Sequence, residues 1–181
     1  MPDSELINVE KLQRFWNNIE PMLGSSVEIN LLHNADWGYS LVNQREHSGT
    51  VAVDNYCIDR WYNAGTSAGS VTPVAGSHVT LTNGTVLAQK MEKISDYFFG
   101  KTLTFAYQDD NDNIYSTQLT FPSVLGNAAD TASIGLLTVE IGFEVLSSAT
   151  KICNINRTDL PYIKITANAD VNIRRVWLEF G

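Results

Sequence analysis

The sequence is short of positive charge, of cysteine and of uninterrupted apolar stretches, and each shortage narrows what the chain can be. Twelve Lys and Arg stand against twenty Asp and Glu, a formal net charge of −8 over 181 residues. A surface of that sign repels a phosphate backbone instead of releasing its counterions, so nucleic acid is a poor partner, as is an anionic membrane. No stretch reaches the roughly 18 consecutive apolar residues that a transmembrane helix needs. The opening Met1-Pro2-Asp3-Ser4-Glu5 has no basic segment followed by an apolar one, so no secretory signal is read there and folding in a cytosol is expected. The only cysteines, Cys57 and Cys153, sit in apolar strand-like segments and are expected to be buried free thiols, with a disulfide between them as the alternative.

Most catalytic signatures are missing too. There is no Gly-x-Ser-x-Gly elbow, and Asn83-Gly84 reads as a tight β-turn, not a phosphate loop. His33, His47 and His78 are scattered, without the spacing or paired thiols of a zinc site. Asp109, Asp110 and Asp112 with Asn111 and Asn113 imitate a calcium loop, but the Gly and Glu that such a loop needs are absent, and a solvated hairpin turn is the reading. A glycosidase would need two converging carboxylates, for which Glu140 and Glu144 or Asp36 and Asp59 are the candidates. Charges alternating along an apolar strand read instead as a solvated face, and no enzymatic role is expected.

What remains is a folded globular composition, 44% hydrophobic and 18% charged, which excludes a disordered tail. One helix is readable. Asn8 caps a segment ending near Glu20, and Val9, Leu12, Trp16, Ile19 and Leu23 recur at heptad steps, with Phe15 widening the stripe and Pro21 and Gly24 stopping it. So short a helix must pack on something, and oligomerisation through this stripe is expected, with packing on its own domain as the alternative. Residues 1–24 are therefore read as an oligomerisation helix and linker, and 25–181 as one β domain.

Beyond Gly24, β-rich runs alternate with Gly, Asn, Asp, Ser and Pro clusters, the pattern of antiparallel all-β architecture. Strands are expected near Val27–Leu32, Ser40–Gln44, Asn55–Tyr62, His78–Thr82, Val86–Met91, Lys101–Gln108, Ile114–Phe121, Leu136–Leu146, Thr150–Ile155, Tyr162–Ala167 and Val171–Phe180, with a loop over Pro122–Ser133. Leu103, Phe105 and Tyr107 face one way, and so do Val139, Ile141, Phe143 and Val145. Exposed aromatic rings flanked by amides and carboxylates would suit sugars, whose CH faces stack on them. Trp37, Tyr39, Trp61 and Tyr62 are the ligand-binding candidates, with Tyr107 and Tyr115 behind them; Trp177, Phe105 and Phe143 are assigned to the core.

Three stretches belong together: Ile29-Asn30-Leu31-Leu32-His33-Asn34-Ala35-Asp36-Trp37, Val42-Asn43-Gln44-Arg45, and Tyr56-Cys57-Ile58-Asp59-Arg60-Trp61. They resemble the "NLLxNxDF…VNQR…YxIDRW" opening of a domain in tail-fibre or receptor-binding proteins of phages and prophages of gut Firmicutes. The end, Asn172 to Gly181, is similar to that domain's closing strand. The resemblance implies an all-β fold, an antiparallel jelly-roll β-sandwich similar to galactose-binding and carbohydrate-binding modules, preceded by the short N-terminal α-helix. It also implies a homotrimeric, non-catalytic fibre on the virion, made in the bacterial cytoplasm and recognising host cell-surface glycans. A purely structural virion component, or a glycan-binding module of a bacterial surface protein, is the alternative. Related modules hold a structural calcium with a Glu and an Asp; Gly38 and Arg174 or Arg175 stand at those positions here, so no metal or other cofactor is expected. The motif residues Asn30, Asn43, Gln44, Asp59 and Arg60 are expected to anchor backbone and neighbouring groups more than to touch a ligand.

Overall fold

The computed structural model describes residues 30–44, 46–91, 95–152 and 155–181, and these form two antiparallel sheets packed as a β-sandwich. The first sheet has the order β1 (Gly49–Val51), β3 (Gly69–Val74), β4 (His78–Leu81), β11 (Val171–Phe180), β6 (Thr102–Asp109), β7 (Ile114–Thr120). The second runs β2 (Tyr62–Asn63), β5 (Val86–Lys90), β10 (Ile155–Ala167), β9 (Leu137–Ile152), β8 (Asp130–Ile134). The expected helix, with Val9, Leu12, Phe15, Trp16, Ile19 and Leu23, lies outside the described residues, as does Cys153. Cys57 is a buried free thiol whose pKa burial pushes up.

Period-two patterning builds the core. Leu103, Phe105 and Tyr107 of β6 and Ile173, Val176 and Leu178 of β11 meet Val139 and Ile141 of β9 and Ile163 and Ile165 of β10 in one buried cluster. Burying a large aliphatic or aromatic side chain contributes about 1.5–3 kcal/mol, so this interface dominates the folding energy. Phe143 is partly buried against the cluster, but Val145 on the same face is 62% exposed. At 16 residues, β9 outruns the strands of the opposite sheet, which have at most ten.

The other differences from the sequence reading have local causes. Thr150–Ile152 continues β9 instead of forming its own strand, and β8 begins inside the expected Pro122–Ser133 loop and ends one residue past it. β1 and β3 are additional strands, the latter masked in the sequence by Gly69 and Pro73. Ser40–Gln44 is not a strand, because the Asn34 and Asp59 side chains occupy its backbone groups, and most of Asn55–Tyr62 is not one either, because its backbone closes turns such as Trp61 N to Ile58 O; one isolated bridge joins Tyr56 to Tyr62.

Trp177 corrects the core assignment. The β11–β6 register shifts between Ile173 and Arg175, a bulge that puts Arg174 and Arg175 together against one step of β6. Strict alternation from Ile173 would turn Trp177 inward; the extra residue instead buries Val176 and Leu178 and leaves Trp177 half-buried on the outer face. Trp61→Ala should therefore cost about 4 kcal/mol in urea unfolding and Trp177→Ala less than half of that; equal losses would contradict the bulge-set parity.

Candidate functional site

The three motif stretches converge on Asn34. Its backbone is left-handed, φ 50°, a conformation that Asn tolerates better than other non-glycine residues. Its Nδ2 donates to Val42 O at 2.8 Å and Asp59 O at 2.9 Å, while its Oδ1 accepts from Val42 N at 2.7 Å. Its carbonyl oxygen accepts both indole N–H groups, from Trp37 at 2.7 Å and Trp61 at 3.1 Å. Those two rings pack edge to face, 5.4 Å apart, in the core beneath. One residue thus ties two loops, an extended segment and the core together.

Further polar groups of the motifs hold backbone as expected. Asn30 Nδ2 donates to Val176 O, and its Oδ1 accepts from the N–H groups of Leu32 and Leu178, stitching the segment to β11. Asn43 closes a small loop with His47 through reciprocal bonds of 2.9 and 3.0 Å. His33 and the buried Gln89 do the same at 2.8 Å each way. Gln44 differs: its backbone N–H donates to Asp59 Oδ2, and its exposed side chain borders a cavity.

Two open cavities flank this scaffold. One, of about 490 Å³, is lined by Asn34, Val42, Gln44, Tyr56, Asp59 and Arg60. The other, of about 460 Å³, lies against Tyr39, Leu41, Asn43, Glu46, His47 and Pro73, with Trp37 at its base. Tyr56 is 47% exposed and leans on Tyr62, ring centroids 5.6 Å apart. Lys90, paired with Glu144 at 2.8 Å, sits over the Tyr62 ring. Burial first, then the charges of Glu144, Tyr56 and Asp54, push the Tyr62 phenol up to about 12, so it stays neutral at physiological pH. Tyr39 is 70% exposed, yet one face is covered by the Arg175 guanidinium, which also lies over Trp177 and pairs with both oxygens of Asp36.

Of the four aromatic candidates, Trp37 and Trp61 are 1% and 0% exposed, which corrects the expectation that they offer stacking surfaces: their N–H groups are satisfied only by turning inward. Tyr39 is accessible, and Tyr62 is half-buried behind Tyr56. Tyr107 is buried, stacked on Tyr115 at 4.8 Å, and accepts from Leu136 N. Tyr56, Gln44 and Arg60 were missed as cavity residues, although the Tyr56–Trp61 motif held the signal: charged neighbours on a run too polar to be wholly core.

The acidic candidates are occupied by donors. Asp109 accepts from Asn111 N, Asn113 N, Asn113 Nδ2 and Tyr115 Oη; Asp110 from Asn172; and Asp112 from Arg174 and Gln108. Among the described residues no three His, Cys, Asp or Glu side chains converge as metal ligands, and no helix is long and apolar enough to cross a membrane. Glu140 accepts from Tyr162 Oη at 2.6 Å and Lys164 Nζ at 3.0 Å. Burial raises its pKa, but those two partners outweigh it, so the carboxyl lies below its ordinary value, opposite to what a general acid requires.

No protein-family model, curated protein or solved structure matches the chain.

Asn34→Ala should destabilise by about 3 kcal/mol, since it strips three side-chain bonds and leaves alanine in the left-handed region, whereas Asn34→Gly should recover about 1 kcal/mol of that. Urea denaturation compares the two, and an alanine variant as stable as the glycine one would refute the backbone argument. Because the folded Glu140 carboxyl is depressed, its stabilisation is present above the unfolded value of about 4.3 and lost as pH falls through the folded pKa. Melting temperature followed below pH 5 should fall less steeply in Glu140→Gln than in the wild type.

Proposed function

We propose that the chain is a non-catalytic receptor-binding domain of a phage tail fibre that recognises host cell-surface glycans. The observation that carries this reading is the cavity where the exposed Tyr56 ring faces Asn34, Gln44, Asp59 and Arg60. A ring able to stack on the CH face of a sugar, ringed by amide, carboxylate and guanidinium groups, is the usual chemistry of carbohydrate recognition. The cavity walls carry the motifs that resemble tail-fibre domains, and the two-sheet architecture is compatible with a jelly-roll module. In this reading the Val9 to Leu23 stripe gathers copies into a homotrimer, and multivalent display compensates for weak single-site affinity. The protein is then a virion component made in the bacterial cytoplasm.

An array of bacterial capsular and cell-wall polysaccharides, probed with the full chain at high density, should return binding that Tyr56→Ala lowers roughly tenfold, the worth of one aromatic contact. Silence across the array, with light scattering showing a stable trimer, would replace the reading by that of a structural fibre component.

A further inference from the structure

The segment between the two cavities carries a consequence for the ligand's size and charge. Along Leu41–Gln44 the side chains alternate: Val42 and Gln44 line the Tyr56 cavity, while Leu41 and Asn43 line the Tyr39 cavity. The segment is thus a wall one extended chain thick, its alternate side chains turned to opposite sides. Both sides are pinned. On one, Val42 N and O are held by Asn34, Asp59 N donates to Val42 O at 3.3 Å, and Gln44 N is held by Asp59. On the other, Asn43 exchanges bonds with His47, and Glu46 N donates to Asn43 O at 3.0 Å.

Each cavity also has a ring held in place before any ligand arrives. Tyr39 is backed by the Arg175 guanidinium, itself fixed by Asp36, and Tyr56 is backed by Tyr62. Rings already ordered bind at little further entropic cost. The described charges facing the cavities leave a single net negative one. Among the described lining residues, Asp59 and Arg60 offset one another on one side and Glu46 is the charged group on the other. With a net charge of −8 on the chain, nothing here favours a polyanion.

We infer that the ligand is an uncharged polysaccharide laid across the Leu41–Gln44 ridge, with one sugar unit against Tyr39 and another against Tyr56. This rests on the glycan reading above and specifies it: two linked subsites, each weak, whose affinities combine because one polymer occupies both.

The test uses the neutral polysaccharide giving the strongest array signal, hydrolysed and size-fractionated into di-, tetra- and octasaccharides. These are titrated calorimetrically into the full-length wild type, Tyr39→Ala and Tyr56→Ala, after thermal melts confirm that both variants fold as the wild type does. Affinity should rise at least tenfold from disaccharide to octasaccharide, and either substitution should abolish that gain while leaving residual short-fragment binding. Equal affinity for all lengths, or octasaccharide binding unmoved by Tyr39→Ala, would overturn the two-subsite inference while leaving single-site glycan recognition intact. Binding confined to an anionic polymer such as a teichoic acid would overturn the assignment of charge, and absence of binding to every glycan would overturn the underlying reading itself.

Discussion

The loop end of this sandwich depends on a single asparagine in a left-handed turn. A segment outside the sheets has backbone groups with no ladder to join, and a side-chain hydrogen bond that takes the ladder's place contributes about 0.5–1.5 kcal/mol each. Asn34 meets that demand from three directions, gripping Val42 and Asp59 with its carboxamide and both buried indoles with its carbonyl. The indoles can then be fully buried without stranding their N–H groups, and the core beneath the loops is closed by aromatic packing.

The bulge at Arg174 is the second constraint, and its effects reach the same region. By setting Arg174 and Arg175 side by side it directs one guanidinium to Asp112 and the other to Asp36. The Asp36 pair is part-buried and bidentate, a geometry that fixes direction more than it adds stability. Its guanidinium lies between Trp177 and Tyr39, so an exposed tyrosine at a loop is braced by a closing strand more than 130 positions away in sequence. Chain ends that are distant in sequence thereby shape one surface.

Charge chemistry differs between the second sheet and the loops. On the second sheet, Glu140 with Tyr162 and Lys164, and Glu144 with Lys90, form neighbouring polar pairs across β5, β9 and β10. Such partly exposed pairs contribute little individually, and their role is to let charged side chains lie flat on a sheet without repulsion. The loop end, in contrast, carries accessible aromatic rings above a network of backbone-directed amides. Accessible rings gather there on irregular backbone held by side-chain hydrogen bonds.

How much of this was legible in the residues follows from what local pattern can carry. Alternation at Leu103-Thr104-Phe105-Ala106-Tyr107 and along Thr138 to Phe143 marked strands and their buried faces, because a pleated chain must point every second side chain the same way. The polarity of Asn30 and Asn43 inside apolar runs likewise announced backbone anchoring. Alternation could not foresee an inserted residue, so Trp177 was placed on the wrong face, and it could not tell a strand from an extended loop at Ser40–Gln44, where Asn34 replaces a neighbouring strand. Nor could it separate Trp37 and Trp61, turned inward by a shared acceptor, from Tyr39 and Tyr56, left outside. The sequence by itself determined a β-sheet domain with few cations and a set of polar anchors; only tertiary structure decided which rings reach solvent, because that depends on hydrogen-bond partners and sheet register set by residues far apart in the chain.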